Sequence, residues 1–282
     1  MEYIRTLSRE FDVGERAELS TDTRSGTVSV RGEDTRHVRI EVVARLWADD
    51  DLEADEQAEL IGRGIKQENE RVVVRAPSLL RPHPLLFFGR SPRIDYQITV
   101  PRRTRGEIKS RSGRVEVDAV QGPLSIESHS GKVALREIGG DVRITSRSGS
   151  VQAESIAGAI SVDSRSGGVR LAGCKGEVTV QSRSGSVHIE DAGAAIKVDA
   201  RSGSVRYDGD VRGAIEIQVE SGSVRLSVNP DAVFFLDAES AHGSVRSDLQ
   251  MKRGSGPAPD RSTSPTVRVR TRSGSIYIGP RS

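Results

Sequence analysis

Residues 131–149 read GKVALREIGGDVRITSRSG, and the copy that follows, residues 149–167, reads GSVQAESIAGAISVDSRSG. Within the first copy, Val133 and Leu135 alternate with Lys132 and Ala134. Ile138 and a Gly139-Gly140 turn come next. Val142, Ile144, Ser146 and Ser148 then alternate with Arg143, Thr145 and Arg147. Period-two alternation is the signature of a strand with one buried face. Each copy therefore holds a short strand, a glycine turn and a longer strand, which together make one coil of a solenoid. The marker glycines Gly113, Gly131, Gly149, Gly167, Gly185 and Gly203 follow one another at intervals of 18 residues. The register then loosens to Gly222, Gly243 and Gly274, and an isolated copy, Arg24-Ser25-Gly26-Thr27-Val28-Ser29-Val30, lies upstream.

Coils stacked at the ~4.8 Å strand spacing turn a sequence period into spatial ladders. One inward ladder runs Val115, Val133, Val151, Val169, Val187, Val205, and another Ile126, Ile144, Val162, Val180, Val198. β-branched side chains suit such a pleated, packed surface. Val120, Ile138, Ile156, Cys174 and Ala192 share the corner position, so Cys174 reads as a small core residue. Two serine rows, one from Ser110 to Ser182 and one from Ser112 to Ser202, share strand parity with the Ile/Val rows. Both are expected to face inward, each hydroxyl bonding the next. The fold class predicted is all-β: a β-solenoid of ~18-residue coils, right-handed by the usual hand of parallel crossovers.

Composition agrees with that architecture. Of 282 residues, 35% are hydrophobic, 4% aromatic and 29% charged. This is too polar for one large compact core but enough for a narrow buried strip per coil, and the regular Val/Ile spacing argues against disorder. With 42 Lys+Arg against 40 Asp+Glu the formal charge is +2, so any nucleic-acid role has to rest on a local patch. A single cysteine excludes an intramolecular disulfide. The N-terminal MEYIRTLSREFDVGE has no apolar h-region, and no apolar run reaches a membrane-spanning length. The expectation is a cytoplasmic protein without signal peptide or transmembrane segment, with surface association left open.

The pattern breaks in residues 31–105. Val38, Ile40 and Val42 alternate as a strand. Residues 51–66 read as a helix with Ala54, Ala58, Ile61 and Ile65 on one stripe and acids in the first turn. Val72–Val74 and Ile94–Val100 return to strand. The predicted organisation is an N-terminal β-rich cap with one short helix over 1–105 and a repeat array over 106–282, the cap covering the open edge of the first coil. A Pro-rich stretch inside it carries Leu85-Leu86-Phe87-Phe88, either a plug over the cap or an exposed patch for a protein or membrane-surface partner. Residues 252–265, rich in Gly, Ser and Pro, read as a mobile loop. Val267–Val269 and Ile276–Ile278 then end the array without an evident polar cap, an end open to self-association.

The quoted units resemble a bacterial β-strand-repeat family known as putative adhesins, a domain of unknown function. The resemblance rests on Arg93-Ile94-Asp95-Tyr96-Gln97-Ile98-Thr99-Val100-Pro101, the Ser-x-Ser-Gly-x-Val units, Asp231–Ala238 with Gly243-Ser244-Val245, and Ser273-Gly274-Ser275-Ile276-Tyr277-Ile278. It covers nearly the whole chain. It implies a surface-type binding protein and brings no catalytic residues.

The sharpest candidate site is the outward residue between each serine pair: Arg111, His129, Arg147, Arg165, Arg183 and Arg201. Stacked at ~4.8 Å, neighbouring cations repel by roughly 1 kcal/mol in a water-like dielectric. Two readings follow. Glu127, Asp163 and Asp199, two residues before alternate members on the same face, bridge the arginines into a solvated network; or the stripe binds a polyanion such as nucleic acid, anionic glycan or lipid headgroups. Nothing supplies the serines with a base and an orienting group, so they do not read as nucleophiles. His37, His83, His129, His188 and His242 have no metal-ligand spacing. The calcium motif of β-rolls is missing, as are a P-loop and a dinucleotide fingerprint. No cofactor is expected. Function is expected to be non-catalytic binding through the arginine stripe or the Leu/Phe loop. The alternatives are a self-associating scaffold stacking through its terminal coil and, last, a polysaccharide-active β-helix enzyme.

Overall fold

A computed structural model describes residues 1–77, 92–249 and 264–281. They fall into two compact units, Met1–Gly140 and Asp141–Ser282. Leu85, Leu86, Phe87 and Phe88 lie outside the described residues, as does most of the Gly/Ser/Pro loop (residues 252–263).

The first unit opens with β1 (Glu2–Asp12), β2 (Arg16–Glu33), β3 (His37–Trp47), α1 (Asp51–Arg63), β4 (Ile65–Glu68) and β5 (Arg71–Arg75). It closes with β6 (Arg93–Pro101), β7 (Arg103–Asp118), β8 (Leu124–Ser130) and β9 (Val133–Ile138). Its spine is β2 lying parallel to β7, from Arg16 opposite Arg103 to Arg31 opposite Asp118, so the upstream Arg24-Ser25-Gly26 copy stacks on Arg111-Ser112-Gly113. The first half of β7 carries β8 and its second half β9, both parallel. On the other side of β2, the first half takes β5, which pairs antiparallel with β4; the second half takes β6, followed by antiparallel β3 and β1. Alternation places Val38, Ile40, Val42, Tyr96, Ile98, Ile108 and Ile126 in the core, each at most 2% exposed.

The helix is shorter than predicted. It is started by the Asp50 side chain, which accepts from the Glu53 N–H, an N-cap arrangement worth about 1 kcal/mol. It buries Ala54, Ala58 and Ile61 and stops at Arg63. Gly64 then comes so near the backbone of β5 that a Cβ on it would stand 2.2 Å from the Arg75 carbonyl oxygen. Ile65, predicted as the last apolar position of the helix, is therefore the first residue of β4.

The second unit repeats a two-strand coil. Its longer strands are β10 (Val142–Ser148), β12 (Ile160–Ser166), β14 (Val178–Ser184), β16 (Ile196–Ser202) and β18 (Ile215–Ser221). Alternating with them are the shorter β11 (Val151–Ile156), β13 (Val169–Ala172), β15 (Val187–Glu190), β17 (Val205–Gly209) and β19 (Val224–Val228). Each strand pairs in parallel with its equivalent one coil on, as in Val162 opposite Val180 and Val187 opposite Val205. Val142, Ile160, Val178, Ile196 and Ile215 form one buried rung column, and Val151, Val169, Val187, Val205 and Val224 another, all at most 3% exposed. Burying each such side chain stabilises by at most about 1.5–3 kcal/mol. The chain is thus a mostly parallel β-solenoid with one helix, as the period predicted.

Two expectations are corrected. The first concerns the end of the array. β20 (Phe235–His242) and β21 (Val245–Ser247) precede β22 (Thr266–Ser273) and β23 (Ile276–Pro280) in sequence. In space, however, β22 lies between β18 and β20, and β23 between β19 and β21. The C-terminal coil is therefore interior, and among the described residues β20–β21 form the outermost rung. Packing explains the order. Val269, Thr271, Ile276 and Ile278 are large enough to fill a covered rung, whereas their opposite numbers Ala238, Ser240, Val245 and Ser247 are smaller or more polar; only Leu236, opposite Val267, is not.

The second correction concerns the serines. Ser110, Ser128, Ser146, Ser164 and Ser182 are buried, but their hydroxyls have no hydrogen-bond partner among the described residues. Equivalent atoms in in-register strands sit ~4.8 Å apart, beyond hydrogen-bond reach. The row of Ser112, Ser130, Ser148, Ser166 and Ser184 is exposed, because the chain bends outward into its glycine corner and strand parity no longer holds there. Ser130 and Ser202 instead donate to the carbonyls of Arg111 and Arg183 on the preceding coil, at 3.3 and 3.2 Å.

Candidate functional site

Parallel registry decides which outward side chains become neighbours. In the second unit, Ser146 opposite Ser164 sets Arg147 beside Arg165, and the next registers carry the column to Arg183 and Arg201. It continues to Glu220 and then Arg272. In the first unit, Arg24 stands beside Arg111, and Arg111 beside His129. All of these side chains are exposed. Arg24, Glu220 and Arg272 are additions to the predicted stripe. The signal was present in their Arg/Glu-Ser-Gly tripeptides, hidden only by the loosened spacing.

Of this column, Arg201 alone finds a carboxylate among the described residues: its Nε lies 3.5 Å from Glu220 Oε2. Arg24, Arg111, Arg147, Arg165, Arg183 and Arg272 make no ion pair with a described residue, and neither do Glu127, Asp163 and Asp199, the expected bridging acids. The geometry does not forbid such bridges. The same two-residue spacing closes between Arg206 Nε and Asp208 Oδ2 at 2.5 Å, Lys109 and Glu107 at 2.9 Å, and Arg114 and Glu116 at 3.2 Å.

Two columns flank the second-unit arginines. On the strand side stand Thr145, Asp163, Gln181 and Asp199; on the corner side, Ser148, Ser166, Ser184 and Ser202. Beyond the serines come the stacked glycines and then Ser150, Gly168, Ser186 and Ser204. The corner is thus a shelf of hydroxyls and bare backbone. Ser148, Ser166 and Ser184 make no side-chain hydrogen bond with a described residue.

The shorter strands carry a contrasting, closed network. His188 Nε2 lies 3.0 Å from Asp208 Oδ2 and 3.1 Å from Glu190 Oε1, while Arg170 reaches Glu190 at 2.9 Å and Arg206 holds Asp208. Burial opposes ionisation of Asp208, but hydrogen bonds from Arg206, Ser227 and His188 outweigh it and hold the carboxyl below its ordinary pKa. These charges satisfy one another.

Cys174 is 1% exposed, and burial pushes its thiol up to about 11. It is neutral at ordinary pH, as its corner position predicted. Among the described residues no three His, Cys, Asp or Glu side chains gather as a metal site, and no helix is long and apolar enough to cross a membrane.

The stacked Ser-x-Ser-Gly coils match the sequence profile of the Toastrack DUF4097 family over residues 16–212 and 208–279. The chain belongs to that family. No curated protein matches it. Among solved structures, this Toastrack chain is similar to a putative adhesin from Bacteroides fragilis, at 12% identity and a TM-score of 0.43 over 97% of each chain. A putative cell adhesion protein from Clostridium sporogenes is 12% identical, with a TM-score of 0.26 over 99% of this chain and 100% of that one. A putative lipid binding protein from Parabacteroides distasonis is 11% identical, with a TM-score of 0.30 over 97% and 96%.

Proposed function

We propose that this Toastrack chain is a non-catalytic, adhesin-like binding module that holds a polyanion against its arginine column. The observation that carries the reading is the contrast within one surface: Arg206 closes on Asp208 and Arg201 on Glu220, yet Arg147, Arg165 and Arg183 on consecutive coils stay exposed and make no ion pair with a described residue, even with Asp163 two positions before Arg165. Like charges at this spacing cost folding energy. A ligand that neutralises them recovers it.

The test is a salt titration of binding to inorganic polyphosphate. Each neutralised anion contributes about 0.7–0.9 to the slope of log K against log salt, so three arginines give about 2.1–2.7. Affinity through them falls by about 20- to 40-fold between about 50 and 200 mM salt. Replacing Arg147, Arg165 and Arg183 by Ala removes that slope. Binding that ignores salt, or that survives the triple replacement with its slope intact, overturns the reading.

A second reading has its own observation. The outermost rung, β20–β21, leaves core-facing Leu236 and Val245 at 38% and 46% exposure, beside Val233 at 62%. A parallel edge with no partner strand among the described residues invites strand addition, here by a second copy of the chain. Phe235 N–H points to the Pro265 carbonyl, so by alternation Ala238 N–H points away from β22. Ala238→Pro therefore blunts the free edge without breaking the inner ladder. Concentration-dependent growth in light scattering that this substitution abolishes supports self-association; a strict monomer at high concentration removes it.

A further inference from the structure

Resting on the arginine-column reading, we infer that the polyanion is a linear acidic polysaccharide, a chain of uronic-acid sugars lying along the stack with its rings on the Ser/Gly shelf. Three observations point there.

The first is the repeat chemistry. Each of these coils offers one guanidinium and, in the adjacent column, one hydroxyl without a side-chain partner among the described residues: Arg147 with Ser148, Arg165 with Ser166, Arg183 with Ser184. A uronate ring offers the matching set, one carboxylate and ring hydroxyls that both donate and accept. One ring advances by about one strand spacing of ~4.8 Å, and the long arginine side chains take up the twist between rings. Guanidinium–carboxylate contacts are charge-assisted and bidentate, the stronger class of hydrogen bond.

The second is the shape of the surroundings. The corner side of the column carries only serine and glycine through Ser150, Gly168, Ser186 and Ser204, while the strand side carries Asp163 and Asp199. An anionic chain is repelled from the strand side and admitted over the shelf, where no long side chain obstructs a sugar ring. The footprint is bounded, because Glu220 follows Arg201 and pairs with it at 3.5 Å. Before that boundary the second unit holds three arginines that make no ion pair with a described residue, Arg147, Arg165 and Arg183, and a fourth, Arg201, shared with Glu220.

The third is what the flanking columns do not contain. Thr145, Asp163, Gln181, Asp199 and the serine and glycine positions include no aromatic side chain. Single-stranded nucleic acid is gripped by stacking its bases on aromatic platforms. Anionic membrane surfaces are held by apolar insertion together with a larger basic cluster. Neither is provided for at this column.

The experiment uses the full chain and a length series of oligogalacturonates, with the methyl-esterified series, inorganic polyphosphate, single-stranded DNA and phosphatidylglycerol vesicles as comparison probes. The expected result is affinity that climbs to a chain of three or four sugars and then levels. Esterification removes it, and so does replacing Arg147, Arg165 and Arg183 by Ala. Replacing Ser148, Ser166 and Ser184 by Ala weakens galacturonate binding and leaves polyphosphate binding unchanged. If polyphosphate, DNA or vesicles bind through the arginines while galacturonates do not, the sugar assignment falls and the polyanion reading stands. If no probe responds to the arginine replacements, both fall.

Discussion

The glycine corner is the part of the coil least able to change, and Gly185→Ala measures how much. Gly185 has φ +136, and a Cβ built on it would lie 2.0 Å from the Gly167 carbonyl oxygen. A non-glycine residue held in so sparsely populated a region costs about 1–3 kcal/mol. The contact cannot be relieved by a rotamer, because the obstacle is backbone. The coils of Gly167 and Gly185 must part locally, stretching the bond from Gly167 N–H to the Ser184 carbonyl, now 3.1 Å. It is worth about 0.5–1.5 kcal/mol net. Alanine returns about 0.4–1 kcal/mol by stiffening the unfolded chain, so the net loss is about 1–4 kcal/mol. The control is Gly173→Ala in the same unit. Gly173 has φ +64, a Cβ there meets nothing nearer than 3.7 Å, and Ser155 and Asp191, its counterparts on the neighbouring coils, already carry side chains at φ +58 and +48. Its loss should stay near about 1 kcal/mol. Urea unfolding followed by circular dichroism gives both midpoints. Equal midpoints for the two variants would refute the claim that coil spacing is set at the glycine column.

Two further outcomes are expected. Ser164→Ala removes a buried, unpartnered hydroxyl and should leave stability unchanged or raise it by up to about 1–3 kcal/mol; Ala200, opposite Ser182, already occupies this column, and a loss above about 1 kcal/mol in urea would contradict the assignment. Acid should unfold the chain. A hydrogen bond from Arg136 lowers the Asp118 pKa, one from Arg281 lowers that of Asp191, and Asp208 is lowered against its burial. A folded pKa below the unfolded one gives stability that is present above the ordinary carboxylate range and lost as pH falls through the folded values. Arg281→Gln should therefore lower the urea midpoint near neutrality and leave it unchanged at about pH 2, below both pKa values; an equal effect at both would exclude the ion pair as its cause.

The rung columns could be read from sequence because they depend on periodicity alone. A residue 18 positions on takes the same place one coil later, and Val169, Val187 and Val205 do so. The family resemblance was carried by the same units. What could not be read depends on geometry that a period does not encode. Strand parity placed both serine rows inside, but the backbone turns at the Ser-Gly corner and brings Ser148, Ser166 and Ser184 out. Nothing local says which of two similar copies stacks next, so the insertion of β22–β23 inside β20–β21 was invisible to spacing. Side-chain size did carry the clue, since Ser240 and Ser247 are poor candidates for a covered rung. Ion pairing was the least legible. Asp163 before Arg165 and Asp208 after Arg206 look alike in sequence, and only the folded side chains separate the open pair from the closed one.

That separation bears on why the column exists. A surface selected only for stability would alternate signs along a stack, as Arg201, Glu220 and Arg272 do. Arg165→Glu imposes that alternation on the free stretch, placing a carboxylate between Arg147 and Arg183. Two repulsions of roughly 1 kcal/mol each at water-like dielectric become attractions. All three side chains are exposed, so screening reduces the net gain to about 0–1 kcal/mol. The fold should therefore be as stable as before or slightly more so, while affinity for a polyanion falls and its salt slope drops by about 0.7–0.9 or more. Stability given up locally for a function is the expected compromise at a binding surface. Were Arg165→Glu to destabilise the chain by about 1 kcal/mol or more and leave anion binding unchanged, the arginine column would be structural and its role as a ligand surface would have to be abandoned.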